Sequence, residues 1–156
     1  MACLSGMDST VYAAIASTAQ LTSAWMMLKT ASKMLFEICP YLKTAPYFAN
    51  QYILKAASGA ARIHIVDYGI FYGLQWPCLI YALAHRMEGP PFVRITGIEL
   101  PTKPTDVNPS SSIEGTGRCL IEYAKTYNVP FKYHANAATN WEEIEPASIR
   151  ISPDEV

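Results

Sequence analysis

Two acidic residues and two glycines are spaced as if to hold a small molecule. Asp67 closes a short β-branched run, Gly69 and Gly73 follow in a turn, and Glu99 closes a second such run. In an open α/β sheet, ligands bind just beyond the carboxyl ends of the strands, where these residues fall. Glycines there let the backbone approach a ligand, and an acid after the second strand accepts hydrogen bonds from ribose hydroxyls. The stretch Asp67-Tyr68-Gly69-Ile70-Phe71-Tyr72-Gly73 reads D-x-G-x-x-x-G, however. Phe71 stands where a D-x-G-x-G-x-G cofactor loop carries glycine. A bulky ring at that point is expected to fill the ligand's space, with Tyr68 and Tyr72 crowding the loop further. The residues alone therefore favour a structural role, with Asp67 capping a turn and both glycines serving backbone angles.

The other chemistry-bearing residues do not gather in sequence. His64 lies inside the first β-branched run, between Ile63 and Ile65, with no second ligand at metal spacing, and reads as a hydrogen-bonded core residue. His85 closes a helical stretch, where its charge suits the helix dipole. His134 sits on a third strand with no nucleophile linked to it. The four cysteines, Cys3, Cys39, Cys78 and Cys119, are far apart and form no C-x-x-C pair, which predicts reduced, partly buried thiols of an intracellular protein. There is no nucleophile elbow, P-loop or H-E-x-x-H. No catalytic residue, metal site or cofactor is expected.

These residues need elements to position them. From Leu21, the residues Leu21, Trp25, Leu28, Ser32, Leu35 and Cys39 recur in steps of four and three and form one helical stripe. Short heptad-like stripes of this kind usually pack on their own domain. Pro40 and Pro46 are expected to interrupt the pattern, with a second helix through Tyr47–Ala57 ending near Ser58-Gly59. After Gly59 the pattern alternates. "RIHIVD" predicts a strand buried on both faces, and "WPCLIYALAHRM" a helix with Pro77 in its first turn and Cys78, Leu79, Ala82 and Leu83 facing the core. "FVRITGIEL" predicts a second strand, and "TKPTDVNPSSS" a polar loop. Ser111 and Glu114 form a capping box for a helix to about Tyr127, with Ile113, Leu120, Ile121 and Ala124 on its core face, and "VPFKYHA" is a third strand. The β-α-β-α-β order predicts a parallel, Rossmann-like sheet with right-handed crossovers, preceded by helices. A new strand is expected at "RISPDEV", so the sheet reads as incomplete and the chain as a fragment.

Composition narrows the class. With 156 residues, 51% hydrophobic and 16% charged, the chain is long enough for one folded core. Lys and Arg number 12 against 13 Asp and Glu, a net charge of -1, so no basic excess points to nucleic acid. The amino terminus lacks the basic and apolar regions of a signal peptide, and the apolar runs are too short to span a bilayer, so no membrane association is expected.

The stretch "IHIVDYGIFYGLQWPCLIYALAHRMEGPPFVRITGIELP" resembles the VHIID region of the GRAS family of plant transcriptional regulators, nearest its scarecrow-like members. Ile63, His64, Ile65, Val66 and Asp67 form the VHIID-type motif itself, followed in order by "GLQWPCLIYALA", "EGPP" and "RITGIELP". "FEICPYLKTAPYFANQYILKAA" resembles the end of the family's first leucine-heptad region, and the stretch from Ile113 to Val156 resembles the lead into its second. The resemblance implies a methyltransferase-like Rossmann core with a helical cap. Residues 1–58 would then be cap and first heptad region, and residues 59–156 the first half of the core. The second heptad region and the PFYRE and SAW motifs would lie beyond Val156.

The resemblance also implies a nuclear transcriptional regulator that is not an enzyme. It would act through contacts with other GRAS proteins and DNA-binding transcription factors, with Leu21, Trp25, Leu28 and Leu35 as contact residues. Direct DNA binding is reported for some members; the net charge does not support it here, and "TKPTDVNPSSS" lacks the Arg-containing segment of close relatives, although Arg118 and Lys125 remain. The competing reading is an S-adenosylmethionine-dependent methyltransferase-like enzyme or small-molecule binder using Asp67, Gly69, Gly73 and Glu99. With sheet edges uncovered, the isolated chain is expected to be marginally stable or to associate.

Overall fold

The computed structural model describes residues 23–100, 109–138 and 140–156. Among the described residues, two helices come first, α1 (Ser23–Ile38) and α2 (Tyr41–Ala56). They are followed by β1 (Arg62–Tyr68), α3 (Trp76–Ala84), β2 (Phe92–Glu99), α4 (Pro109–Thr126) and β3 (Phe131–Ala137). A 3-10 turn (Trp141–Glu143) and a short helix, α5 (Pro146–Ile149), lead to the last residues. The strands form one parallel sheet in the order β1-β2-β3, with Asp67 opposite Gly97 and Gly97 opposite Ala135. No described helix is long and apolar enough to cross a membrane.

The core lies on one face of this sheet. Ile63 and Ile65 of β1 and Val93 and Ile95 of β2 pack against Leu79, Ile80 and Leu83 of α3 and against Ile113, Leu120 and Ala124 of α4. The core face of α3 is rotated from the expected one: Trp76 and Ile80 are buried, while Cys78 and Ala82 are half-buried. On α4 likewise, Cys119 and Tyr123 join the buried set and Ile121 lies at its margin. Cys39, Cys78 and Cys119 are not in disulfides, the first two half-buried and the third buried.

Three expectations need correction. Pro46 does not interrupt a helix. It lies inside α2, which starts directly after Pro40. Proline there forfeits one bond to the carbonyl four residues back, near a helix end where water can serve that carbonyl. Ser111 does not cap α4, because the helix already begins at Pro109 and places Ser111 within its first turn. β1 is not buried on both faces. Ile63 and Ile65 are buried, but Arg62 and His64 on the opposite face are only half-buried, with the Arg62 side chain 42% exposed.

α2 is divided lengthwise. Ile53, Leu54 and Ala57 pack on the core, and buried Asn50 exchanges hydrogen bonds with Gln75, whose carbonyl accepts from Nδ2 at 3.2 Å and whose Nε2 donates to Oδ1 at 3.0 Å. This pair ties α2 to the residue before α3. Arg86, beyond the far end of α3, donates to the carbonyls of Ala57 (3.4 Å) and Ala60 (3.1 Å) and secures the chain entering β1.

Candidate functional site

The turn between β1 and α3 is built as the sequence suggests, but its groups face one another. Gly69 and Gly73 have φ of 87° and 62°, and Phe71 has φ of 45°, in the left-handed region. That region costs a residue with a Cβ roughly 1–2 kcal/mol. Phe71 is held there from both sides. Its N–H donates to Glu99 Oε2 at 2.9 Å, and its carbonyl accepts from Thr116 Oγ1 of α4 at 2.8 Å. The Phe71 ring is 57% exposed, yet its Cε2 lies 3.6 Å from where a Cβ on Gly69 would stand. The backbone takes the shape a glycine would take.

Both acids serve this scaffold. Asp67 Oδ2 accepts the indole N–H of Trp76 at 2.8 Å, joining the end of β1 to the first turn of α3. Burial pushes the Asp67 carboxyl above its usual range, and the Trp76 bond partly offsets that. Glu99 is also pushed up by burial, against the pull of the Phe71 and Leu100 amides. Sequence reasoning expected Asp67 to cap a turn; its partner is instead a side chain nine residues on. Gly73 is locked by neighbours as well as by φ, because a Cβ there would lie 2.9 Å from Thr116 Cγ2.

Tyr133 of β3 was missed in the sequence. Its ring lies in a slot between Gly97 of β2 and Gly117 of α4, where an added Cβ would meet it at 2.2 Å on either side. Its hydroxyl is buried and has no hydrogen-bond partner. Burial, then the charges of Asp67 and Glu99, pushes that hydroxyl's pKa well up. The two glycines in "EGTGR" and "ITGIE" were the available signal for this close approach.

The histidines do not meet. His64 Nε2 lies 2.8 Å from Thr96 Oγ1, and its Nδ1 lies 3.0 Å from Arg94 Nη2. Burial and the Arg94 charge push the His64 pKa down. His134 is likewise pushed down, by burial and then by Arg150, Arg94 and Lys132. His85 Nδ1 bonds the Tyr81 carbonyl at 2.8 Å, and its ring stacks 4.2 Å from that of Tyr81. Among the described residues no three His, Cys, Asp or Glu are grouped to hold a metal ion.

The other candidate surface is helical. Tyr41, Phe48 and Tyr52 recur at helical spacing along α2, opposite its core face, and all three are exposed, Tyr52 by 72%. On α1, Met34, Leu35 and Ile38 are exposed as well, Leu35 by 58%, while neighbouring Phe36 is buried. Leu35 is therefore outside the core that short stripes usually join. Leu21 lies outside the described residues, and Trp25 and Leu28 lie on α1 with side chains outside them.

A parallel sheet with its first two crossover helices on one face, preceded by two helices, is a Rossmann-like α/β fold. Comparison with known proteins makes the class specific. The GRAS domain family matches residues 1–156. Scarecrow-like protein 30 of Arabidopsis thaliana is 44% identical over 141 residues, which is 90% of this chain and 24% of that protein. Scarecrow-like protein 14 of the same plant is 40% identical over 97% of this chain and 19% of its own length. The crystal structure of SCL7 from Oryza sativa matches with a TM-score of 0.68 at 39% identity, covering 80% of this chain and 34% of that one. The chain belongs to the GRAS domain family. It spans about a fifth to a quarter of the length of these scarecrow-like relatives.

Proposed function

We propose that the chain is the amino-terminal part of a GRAS-type transcriptional regulator, which acts in the nucleus by protein–protein contact and not by catalysis. Residues 59–156 would be the first half of the core, with Ile63–Asp67 as its VHIID-type motif. Residues 1–58 would carry the contact surface for other GRAS proteins and DNA-binding transcription factors. The exposed apolar stripes of α1 and α2 carry this reading: Leu35, Ile38, Tyr41, Phe48 and Tyr52 face solvent, although α2 has a separate face in the core and Phe36 of α1 is buried. Apolar side chains gathered at helical spacing on an exposed face are the usual mark of a partner helix or groove. Leu21, Trp25 and Leu28 would extend the surface along the stripe that ends in Leu35. The acids near Gly69 favour the same reading, since each uses a carboxylate oxygen on a protein donor.

The test is a tethered reporter assay in plant cells, with the chain fused to a heterologous DNA-binding module. The reading expects reporter output to change with the wild-type chain and to return to baseline with Tyr41→Asp/Tyr52→Asp, at equal protein level. Output that the paired variant leaves intact would contradict the assignment of this surface.

A further inference from the structure

Along one side of α2 runs a groove. Lys43, Tyr47, Asn50 and Leu54 line it in steps of four, three and four, which places them on a single stripe of the helix, with Pro46 beside Tyr47. At a rise of about 1.5 Å per residue the stripe is roughly 16 Å long, or about three turns. Phe36 of α1 and Ala82 of α3 line the same groove, so three helices meet there. It holds about 420 Å3 of space and is open to solvent. Two of its polar residues, Asn50 and Gln75, already bond each other at 3.2 and 3.0 Å, so they need nothing from an occupant. What remains is a largely apolar trough of helical length.

Charge selects the occupant. Among the described residues, Lys43 is the one charged residue lining the groove; it is half-buried, and no ion pair among those residues includes it. α1 and α2 carry four lysines, Lys29, Lys33, Lys43 and Lys55, against Glu37 alone. Residues 57–156 carry eight basic and eleven acidic side chains, so the helical pair is the positive part of a chain whose net charge is -1. A half-buried ammonium is screened less than an exposed one, and a carboxylate brought to it gains more. Length, apolarity and charge together fit a helix with an apolar face and flanking acids.

We propose that this groove seats an amphipathic helix of a partner protein, with apolar side chains against Phe36, Tyr47 and Leu54 and a carboxylate meeting Lys43. This assignment rests on α1 and α2 being the contact region, as proposed above, but it uses a different face of α2 from exposed Tyr41, Phe48 and Tyr52.

Fluorescence anisotropy on the whole chain tests this. The probe is a labelled synthetic helix with leucines at i, i+3, i+4 and i+7 and glutamates beside them. Wild type should bind it saturably, and about tenfold more tightly than the same helix with lysines in place of the glutamates. Lys43→Glu should bring the two probes within about twofold of each other. Lys43 lies in the first turn of α2, where an acid suits the helix dipole, so that variant should stay folded. Gln51→Trp, at an exposed position on the rim of the groove, should weaken binding of the glutamate probe by about tenfold or more. Tyr41→Ala/Tyr52→Ala should leave it within about twofold, which separates this groove from the outer stripe. No binding by wild type, a preference that survives Lys43→Glu, or binding that Gln51→Trp leaves intact would overturn the proposal. Self-association of wild type that Gln51→Trp abolishes would overturn it too, because the occupant would then be a second copy. So would binding lost in Tyr41→Ala/Tyr52→Ala alone, which would put the helix on the outer stripe.

Discussion

The Tyr133 slot gives a prediction of unusual sign, namely that removing an atom from the core stabilises the protein. The Tyr133 hydroxyl is buried beside Gly97 without a hydrogen-bond partner. An unsatisfied buried polar group costs about 1–3 kcal/mol, and Tyr133→Phe deletes it while keeping the ring between Gly97 and Gly117. A gain of about 1 kcal/mol is expected, or roughly 2–4 °C in Tm for a chain of this size. Gly97→Ala should do the reverse. Its Cβ would stand 2.2 Å from the Tyr133 hydroxyl and 2.9 Å from Ile70 Cδ1, overpacking that costs about 1–3 kcal/mol. Because the hydroxyl is the closest atom, the two changes should couple. The double variant should be more stable than the sum of the single effects by about 1 kcal/mol. Urea denaturation of all four proteins, followed by tryptophan fluorescence, measures each quantity. A loss of stability in Tyr133→Phe, or strict additivity in the cycle, would refute the reasoning.

Trp76→Phe removes the donor to Asp67, and it should cost about 1.5–3 kcal/mol, the range for a hydrogen bond to a charged group. It should also raise the Asp67 pKa further in an NMR titration, and an unchanged pKa would mean the bond is not made. His64 and His134 are both pushed below 6.5 in the folded protein, so the unfolded chain binds protons more readily. Their contribution is intact above that pH and is lost as pH falls, by at most about 1.4 kcal/mol per pH unit for each histidine. Asp67 and Glu99 are pushed up, so their contribution runs the other way, present in acid and lost as pH rises. His134→Gln should therefore flatten any loss of stability between pH 7.5 and 5.5, and a steeper loss in that variant would reverse the assignment. Calorimetric titration with S-adenosylmethionine should give no saturable heat at micromolar concentrations. Saturable binding that Asp67→Ala abolishes would instead support the methyltransferase-like alternative.

Much of the fold was legible because its signals are local. β-branched runs gave the first two strands and alternation the third, Pro77 marked the first turn of α3, and the alternating order gave a parallel sheet. What was not legible depends on contacts between distant residues. Phe71 looked like an obstruction because its type was visible but its brackets, Glu99 and Thr116, lie 28 and 45 residues away. Pro46 looked like a helix breaker because propensity ignores the packing of Asn50, Ile53 and Leu54, which holds α2 together around it. Leu35 and Phe36 show the limit of periodicity: a stripe of steps four and three selected Leu35, but tertiary packing buries its neighbour. Glu155 was unremarkable in the sequence, as an acid near the end of a polar stretch, and only the fold places Arg94 against it.

The exposed face of α1 and α2 is the proposed working surface, with the glycine turn as scaffold. Biolayer interferometry of the chain against immobilised full-length scarecrow-like protein 30 tests it most directly. The wild type should bind saturably. Phe48→Asp/Tyr52→Asp should weaken binding at least tenfold with an unchanged melt, while Phe71→Ala, an exposed side chain of the turn, should leave affinity within about twofold. Equal binding by wild type and the α2 variant, or loss of binding in Phe71→Ala alone, would contradict the claim.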